Sequence, residues 1–327
     1  MTGMETTAAS PRFVMSGDLT QLFYRLAAVG LICVVLSFLN DAFLTINNLL
    51  NVLRQASLVF FMASGLTLVI LTGKIDLSVG ATVGLSACLA ATMIKSTGSP
   101  WLGAMVGIGA GSLVGIANGV MVAGLRIPSF IATYGSLWIV QGITYYYMAG
   151  ETIYGFPPGF RALGSGYALG IPIPVYLMAG FLFIGSFFAR RTTYGQQIYA
   201  IGANAVAARL SGIPVNSRLV LVFIMSGAMA GLASLVFLAR LNSAEGDIGE
   251  SLTLPTIAAV LIGGTSLFGG IGTVFGTFVG ALILTLILNG MNLLAVSANW
   301  QPLVTGAIII FAVWLDMATT ARREASA

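Results

Sequence analysis

The side chains that usually carry chemistry are scarce in this sequence. Its 327 residues include no histidine, two cysteines, two lysines and ten carboxylates. Without histidine there is no Ser-His dyad, no imidazole metal ligand and no histidine proton relay. Cys33 and Cys88 each sit inside an apolar run, where a thiol is a small apolar filler rather than half of a disulfide or redox pair. Lys74 is followed by Ile75 and Lys95 is preceded by Ile94. The G-x-x-x-x-G-K-[ST] loop that cradles ATP phosphates is therefore absent. No metal site is expected. The carboxylates map to loops and to the ends of apolar runs, with Asp76 at the end of the second run and Asp316 near the end of the last. That placement disfavours proton coupling through a buried carboxylate.

Uncharged polar residues within apolar runs remain: Asn118, Gln141, Thr265, Asn289 and Asn292. Such groups either hydrogen-bond across helices or meet a polar solute. Tyr145, Tyr146 and Tyr147 end one run, where tyrosine anchors a helix at the membrane interface or offers a ring for stacking.

The elements that must position these residues are membrane helices. The chain is 57% hydrophobic and 7% charged, with a mean hydropathy of +0.98, against about 25% charge in a soluble domain. This excludes a soluble enzyme, a disordered regulator and, at a net charge of +4, a nucleic-acid-binding protein. Ten spans of sufficient length are predicted: 22–39, 56–73, 77–94, 101–124, 127–148, 172–189, 219–239, 252–270, 271–290 and 299–317. They form one all-α domain over 22–317, flanked by a polar segment 1–21 and a tail 318–327. The first run has no small-residue cleavage site and reads as a retained span rather than a signal peptide.

With the N-terminus inside, ten basic residues fall on the inner side: Arg12, Arg25, Lys74, Arg126, Arg190, Arg191, Arg209, Arg218, Arg322 and Arg323. Four fall outside: Arg54, Lys95, Arg161 and Arg240. The positive-inside rule then puts both termini in the cytoplasm. Two connections are long, 149–171 outside and 190–218 inside.

The sequence has 41 glycines. Gly103, Gly107, Gly111, Gly115 and Gly119 are each four apart, and Gly272, Gly276 and Gly280 repeat the device five spans later. Small residues at this spacing admit another helix backbone. Phe61-Met-Ala-Ser-Gly65 in the second span and Phe223-Ile-Met-Ser-Gly227 in the seventh are also five spans apart. Five spans per half predicts two halves of inverted topology, an architecture common in transporters.

The inner loop contains Gly202-Ala-Asn204-Ala-Val-Ala-Ala-Arg209-Leu210-Ser211-Gly212-Ile213-Pro214. Asn204 suits an N-cap, Gly212 a C′ position and Pro214 a stop. A short helix over 204–211, on a chain with little else outside the membrane, reads as a docking element or as a helix lying on the lipid surface.

From about residue 45 onward the chain resembles the ribose-type permeases of ATP-binding cassette sugar importers. The segments that carry the resemblance are 48–55 (NLLNVLRQ), 65–72 (GLTLVILT), 75–80 (IDLSVG), 127–133 (IPSFIAT), 207–213 (AARLSGI) and 257–267 (IAAVLIGGTSL). The resemblance implies a pair of permease chains in a bacterial cytoplasmic membrane. It also implies separate ATPase subunits that hold ATP and magnesium and grip the inner loop, and an extracytoplasmic protein that delivers a monosaccharide. No cofactor is expected in this chain. Gly202, Asn204, Arg209, Leu210, Ser211, Gly212 and Ile213 become coupling candidates, and the five polar residues above become candidates for the sugar pathway. Glu245, Asp247 and Glu250, read as an outer loop, become candidates for docking the binding protein. Three departures are visible. Ala205 and Val206 stand where the family has acidic residues, Ile271 stands where it commonly has a basic one, and Gly73-Lys74 replaces a Gly-Gly. Lys74 beside Asp76 suggests an inner-face ion pair. A secondary transporter or facilitator that needs no ATPase stays open; an embedded enzyme is disfavoured by the missing constellations.

Overall fold

The computed structural model describes residues 15–325. Thirteen α-helices account for most of them. In order they are α1 (Met15–Leu39), α2 (Ile46–Leu71), α3 (Val79–Thr97), α4 (Pro100–Gly119), α5 (Ser129–Met148), α6 (Pro158–Ser165), α7 (Ile173–Arg191), α8 (Thr193–Ala203), α9 (Ala205–Leu210), α10 (Val215–Leu241), α11 (Thr253–Ile262), α12 (Val274–Leu293) and α13 (Gln301–Ala325). Four two-residue strands pair as β1 (Ile153–Tyr154) with β4 (Ser243–Ala244) and β2 (Tyr167–Ala168) with β3 (Ile171–Pro172). The chain is an all-α polytopic membrane protein. The expected N-terminal segment 1–21 and tail 318–327 fall partly outside the described residues, and Arg12 lies wholly outside them.

Six helices are long and apolar enough to cross a bilayer by composition alone: α2, α3, α4 with its π-helical extension Val120–Gly124, α7, α10 and α12. The remaining four expected spans correspond to α1, α5, α11 and α13. α5 has the length, but Thr133, Ser136, Gln141 and Thr144 on its buried side and three terminal tyrosines dilute its apolar content. The eighth expected span, 252–270, is corrected. Only Thr253–Ile262 is helical there, and 263–273 is irregular. Gly264, Gly269, Gly270 and Gly272 take positive φ, a conformation that ends a helix.

The two halves are inverted copies in their packing. α2 and α4 of the first half meet α12 and α10 of the second, and α3 lies on α10 as α11 lies on α2. α2 and α10 pack against each other, with Gly65 on the backbone of Ser226. Gly111 meets Gly227 and Gly107 meets Gly231, while Thr67 bonds Thr277 and Asn48 bonds Asn289. These cross-half pairs run antiparallel, as inverted halves require. Phe60, Phe61, Leu66, Ile70, Phe223 and Leu284 are fully buried between them.

The glycines of α4 and α12 lie against neighbouring elements. Gly103 and Gly107 seat α4 on Ile94 and Ala90 of α3; Gly111, Gly115 and Gly119 seat it on the α10 backbone at Gly227, Phe223 and Val220. Gly276 and Gly280 seat α12 on Gly263 and Ala259. Gly272 is a correction: it precedes α12, at φ +148°, and lies on the Thr265 side chain instead of a helix.

Candidate functional site

Two breaks in the helical pattern bring polar groups together. The first is 72–78, between α2 and α3. Thr72 bonds its own helix end, and the chain then turns back into the bundle. Asp76, which the sequence assigns to a span end, is 2% exposed and held among α4, α5 and α10. Its Oδ1 accepts from the Ser78 amide at 3.0 Å and the Ser78 hydroxyl at 2.7 Å. Its Oδ2 accepts from the Ser226 hydroxyl at 2.9 Å. The expected ion pair with Lys74 does not form; among the described residues, only hydroxyl and amide donors meet the carboxylate. Asn118 donates to the Ser78 hydroxyl at 2.7 Å and accepts from Ser136. Thr133 accepts from the Leu77 amide at 3.1 Å, and Ser129 from the Ile75 amide at 3.3 Å.

The second break is 242–252, between α10 and α11. The sequence reads its carboxylates as an outer loop. The structure instead carries this stretch down the side of the bundle. The Glu245 carbonyl accepts from the Cys88 thiol at 3.5 Å, and the Gly246 carbonyl accepts from Gln141 Nε2 at 3.0 Å. Gly249 packs on the backbone of Gly80 and Gly84. Measured up α3 to Lys95 at 1.5 Å per residue, Gly249 lies about 16–22 Å below that end, near the middle of an apolar layer about 30 Å thick. Glu245, Asp247 and Glu250 are all exposed on the single chain; by the same measure Glu245, at Cys88, lies about 10 Å below the Lys95 end. Tyr145 donates to Glu250 at 3.3 Å. Tyr145 belongs to a stripe on α5 with Tyr134 and Trp138, all exposed, and Gly135 and Gly142 on the same helix leave open space beside it.

The five polar candidates do not converge. Asn118 belongs to the Asp76 cluster and Gln141 to the second break. Asn289 exchanges hydrogen bonds with Asn48 at 2.9 and 3.1 Å, clamping α12 to α2. Asn292 is exposed and accepts from Gln301 at 3.0 Å. Thr265 is buried, and its hydroxyl has no partner among the described residues. None borders the groove of about 580 Å³ lined by Thr92, Lys95, Ser96, Thr152, Ile153 and Tyr154. Sequence reasoning misses the joint burial of Asp76, Ser78, Ser136 and Ser226. The Ile75-Asp-Leu-Ser78 run is visible, but nothing in it announces burial.

The loop helix forms as its caps predict, over Ala205–Leu210. Asn204 Oδ1 accepts from the Val206 and Ala207 amides at 3.0 and 2.9 Å, and Gly212 takes φ +82°. Val206, Arg209, Leu210 and Ser211 are exposed, Ile213 is half-buried, and Ala208 is buried beneath them. α8 roots this helix in the bundle. Gly202 has no room for a Cβ against the Leu71 carbonyl and the Gly270 amide. The Gly270 amide donates to that same carbonyl at 2.9 Å. Arg218 of α10 donates to Gln197 and lies 4.3 Å over the Tyr194 ring.

Comparison with known proteins gives a consistent picture. The family model described as branched-chain amino acid transport system / permease component matches residues 48–313. The ribose import permease protein RbsC of Escherichia coli K12 is 40% identical over 95% of this chain and 98% of its own length. The D-allose transport system permease protein AlsC of the same organism is 37% identical over 93% of each chain. The xylose transport system permease protein XylH of Haemophilus influenzae is 33% identical over 90% of this chain and 96% of its own. No solved structure matches the chain.

Proposed function

The chain belongs to the branched-chain amino acid transport system / permease component family, as a ribose-type permease subunit of ATP-binding cassette sugar importers, and from that premise we propose how it moves its substrate. The substrate is a ribose-like monosaccharide, consistent with the ribose, allose and xylose permeases it resembles. Two copies pair in a bacterial cytoplasmic membrane. ATPase subunits dock on α9 from the cytoplasm, and a sugar-loaded binding protein docks on the opposite face, beside α6 and the β1–β4 pair.

The observation that carries this reading is the exposed strip formed by the α5 aromatics and the second break. Carboxylates and non-helical backbone at membrane depth are tolerated beside protein or water, and are costly beside lipid tails. The strip therefore lines a hydrated passage, which a second copy of the chain closes. Its chemistry suits a neutral polyol. Carboxylate oxygens of Glu245, Asp247 and Glu250 accept from sugar hydroxyls, and the faces of Tyr134, Trp138 and Tyr145 lie against the apolar C–H side of the ring. The strip carries no cation for anchoring a charged solute.

The test is uptake of labelled ribose, allose and xylose into proteoliposomes holding permease, ATPase and loaded binding protein. Glu250→Ala and Tyr145→Ala are each expected to lower uptake at least ten-fold while the ATPase still co-purifies. Uptake at the unaltered rate in both variants would remove the strip from the pathway. Uptake without the ATPase would identify a facilitator.

A further inference from the structure

The Asp76 cluster joins four separate elements through one directional chain of hydrogen bonds. Ser136 of α5 donates to Asn118 of α4, Asn118 donates to Ser78, and Ser78 donates to Asp76. From the other side Ser226 of α10 donates to Asp76. The carboxylate is thus the terminal acceptor on which α4, α5 and α10 converge, and it sits on neither helix end but on the irregular stretch 72–78. Ser129 and Thr133 of α5 hold the same stretch by its backbone.

The other end of that stretch meets the loop helices. Leu71, the last residue of α2, offers its carbonyl to the Gly270 amide, and Gly202 of α8 is packed against that carbonyl without space for a methyl group. Gly269 packs on the Gly73 amide and on Gly202. Only Ala203 and Asn204 separate this seat from α9. A displacement of α8 and α9 therefore presses directly on the start of 72–78. A close-packed contact between backbones cannot absorb movement as a flexible side chain would.

We infer that Asp76 is the positioning residue that passes movement of the α8–α9 element into α4, α5 and α10. The role rests on the proposed function, in which α9 receives the ATPase. Asp76 touches no sugar. It fixes the irregular stretch to three helices at once, so that the stretch moves them instead of bending alone. Removing one donor leaves a buried carboxyl oxygen of Asp76 under-satisfied.

The experiment measures sugar imported and ATP hydrolysed in the same proteoliposomes, with ATPase and loaded binding protein present. Ser226→Ala and Asp76→Asn are expected to keep ATPase co-purification and to keep stimulated hydrolysis within about two-fold. Sugar moved per ATP is expected to fall at least five-fold. Ser226→Thr, which keeps the hydroxyl, is expected to restore the ratio. Should Asp76→Asn not fold, Ser226→Ala and Ser136→Ala each remove one hydroxyl and carry the test. An unchanged ratio in these variants, or uptake and hydrolysis falling in step, would overturn the inference and leave the proposed function standing. ATP-independent uptake by the unaltered chain would sink both.

Discussion

Asn204 shows how much a single side chain can decide. Its Oδ1 caps two amides of a six-residue helix that has few bonds of its own. Removing such a cap costs about 0.5–2 kcal/mol, and a helix this short has little else to hold it. Asn204→Ala is therefore expected to weaken ATPase association about five-fold in a nanodisc titration, while Asn204→Asp retains it. Equal affinity in Asn204→Ala would show that α9 is ordered by its partner rather than by its cap. Gly212 offers a cleaner case. A Cβ there would meet nothing within 4 Å, so the penalty of Gly212→Val is backbone alone, about 1–2 kcal/mol for a left-handed conformation. Both caps are readable from residue type and position. The fate of Asp76 is not. Its direct partners Ser78 and Ser226 lie 2 and 150 residues away, and Asn118 and Ser136, which extend the network through Ser78, lie 42 and 60 away; no local pattern links them. Glu245, Asp247 and Glu250 read as a surface loop because charge is ordinarily kept out of the membrane, and the sequence does not show that their stretch packs along α3 and α5.

At the scale of elements, α4 meets α10 backbone to backbone. Gly111 and Gly109 lie two residues apart on opposite sides of it. A Cβ on Gly111 would run into the Gly227 carbonyl and the Gly231 amide, whereas one on Gly109 would meet nothing within 4 Å. Backbone cannot swing aside, so Gly111→Leu is expected to destabilise by about 3 kcal/mol, the upper end of ordinary overpacking. Gly109→Leu is expected to be neutral. Thermal unfolding of the two variants in detergent distinguishes them; equal midpoints would mean that α4 can shift without loss. This helix is legible because a spacing of four stays on one helical face. α11 is not. The run 252–270 is apolar throughout, apart from its threonines and serine, and composition alone does not say that it stops being helical at Gly263. The cause is tertiary: Gly263 and Gly264 are packed against α12 and the Arg25 guanidinium, with Gly272 folded over Thr265. α5 is legible as a span, while its two faces, one buried and polar and one exposed and aromatic, require its neighbours to be in place.

For the whole molecule, the expected topology divides the basic residues ten to four between the two faces of the membrane. In a cysteine-free background, Cys33→Ser with Cys88→Ala, Ser211→Cys is expected to be protected from an impermeant thiol reagent on intact cells and Ser96→Cys to be labelled. Both positions are exposed on the single chain, and the reverse pattern would turn the molecule over. The inversion of the halves has a consequence in time. The principal partner of α4 is α10, and Gly111 waits for Gly227, 116 residues later. At about 5–20 residues per second, a ribosome needs roughly 6–23 s to make that stretch. During this interval α4 and α5 are completed, while Ser226 does not yet exist to hold Asp76. The first five helices emerge as a half-assembly with unmet polar groups and an empty glycine groove. Their escape from degradation depends on how long the insertion machinery shelters them. Codon usage between Arg126 and Arg218 then becomes a determinant of yield, without altering a single residue of the finished protein.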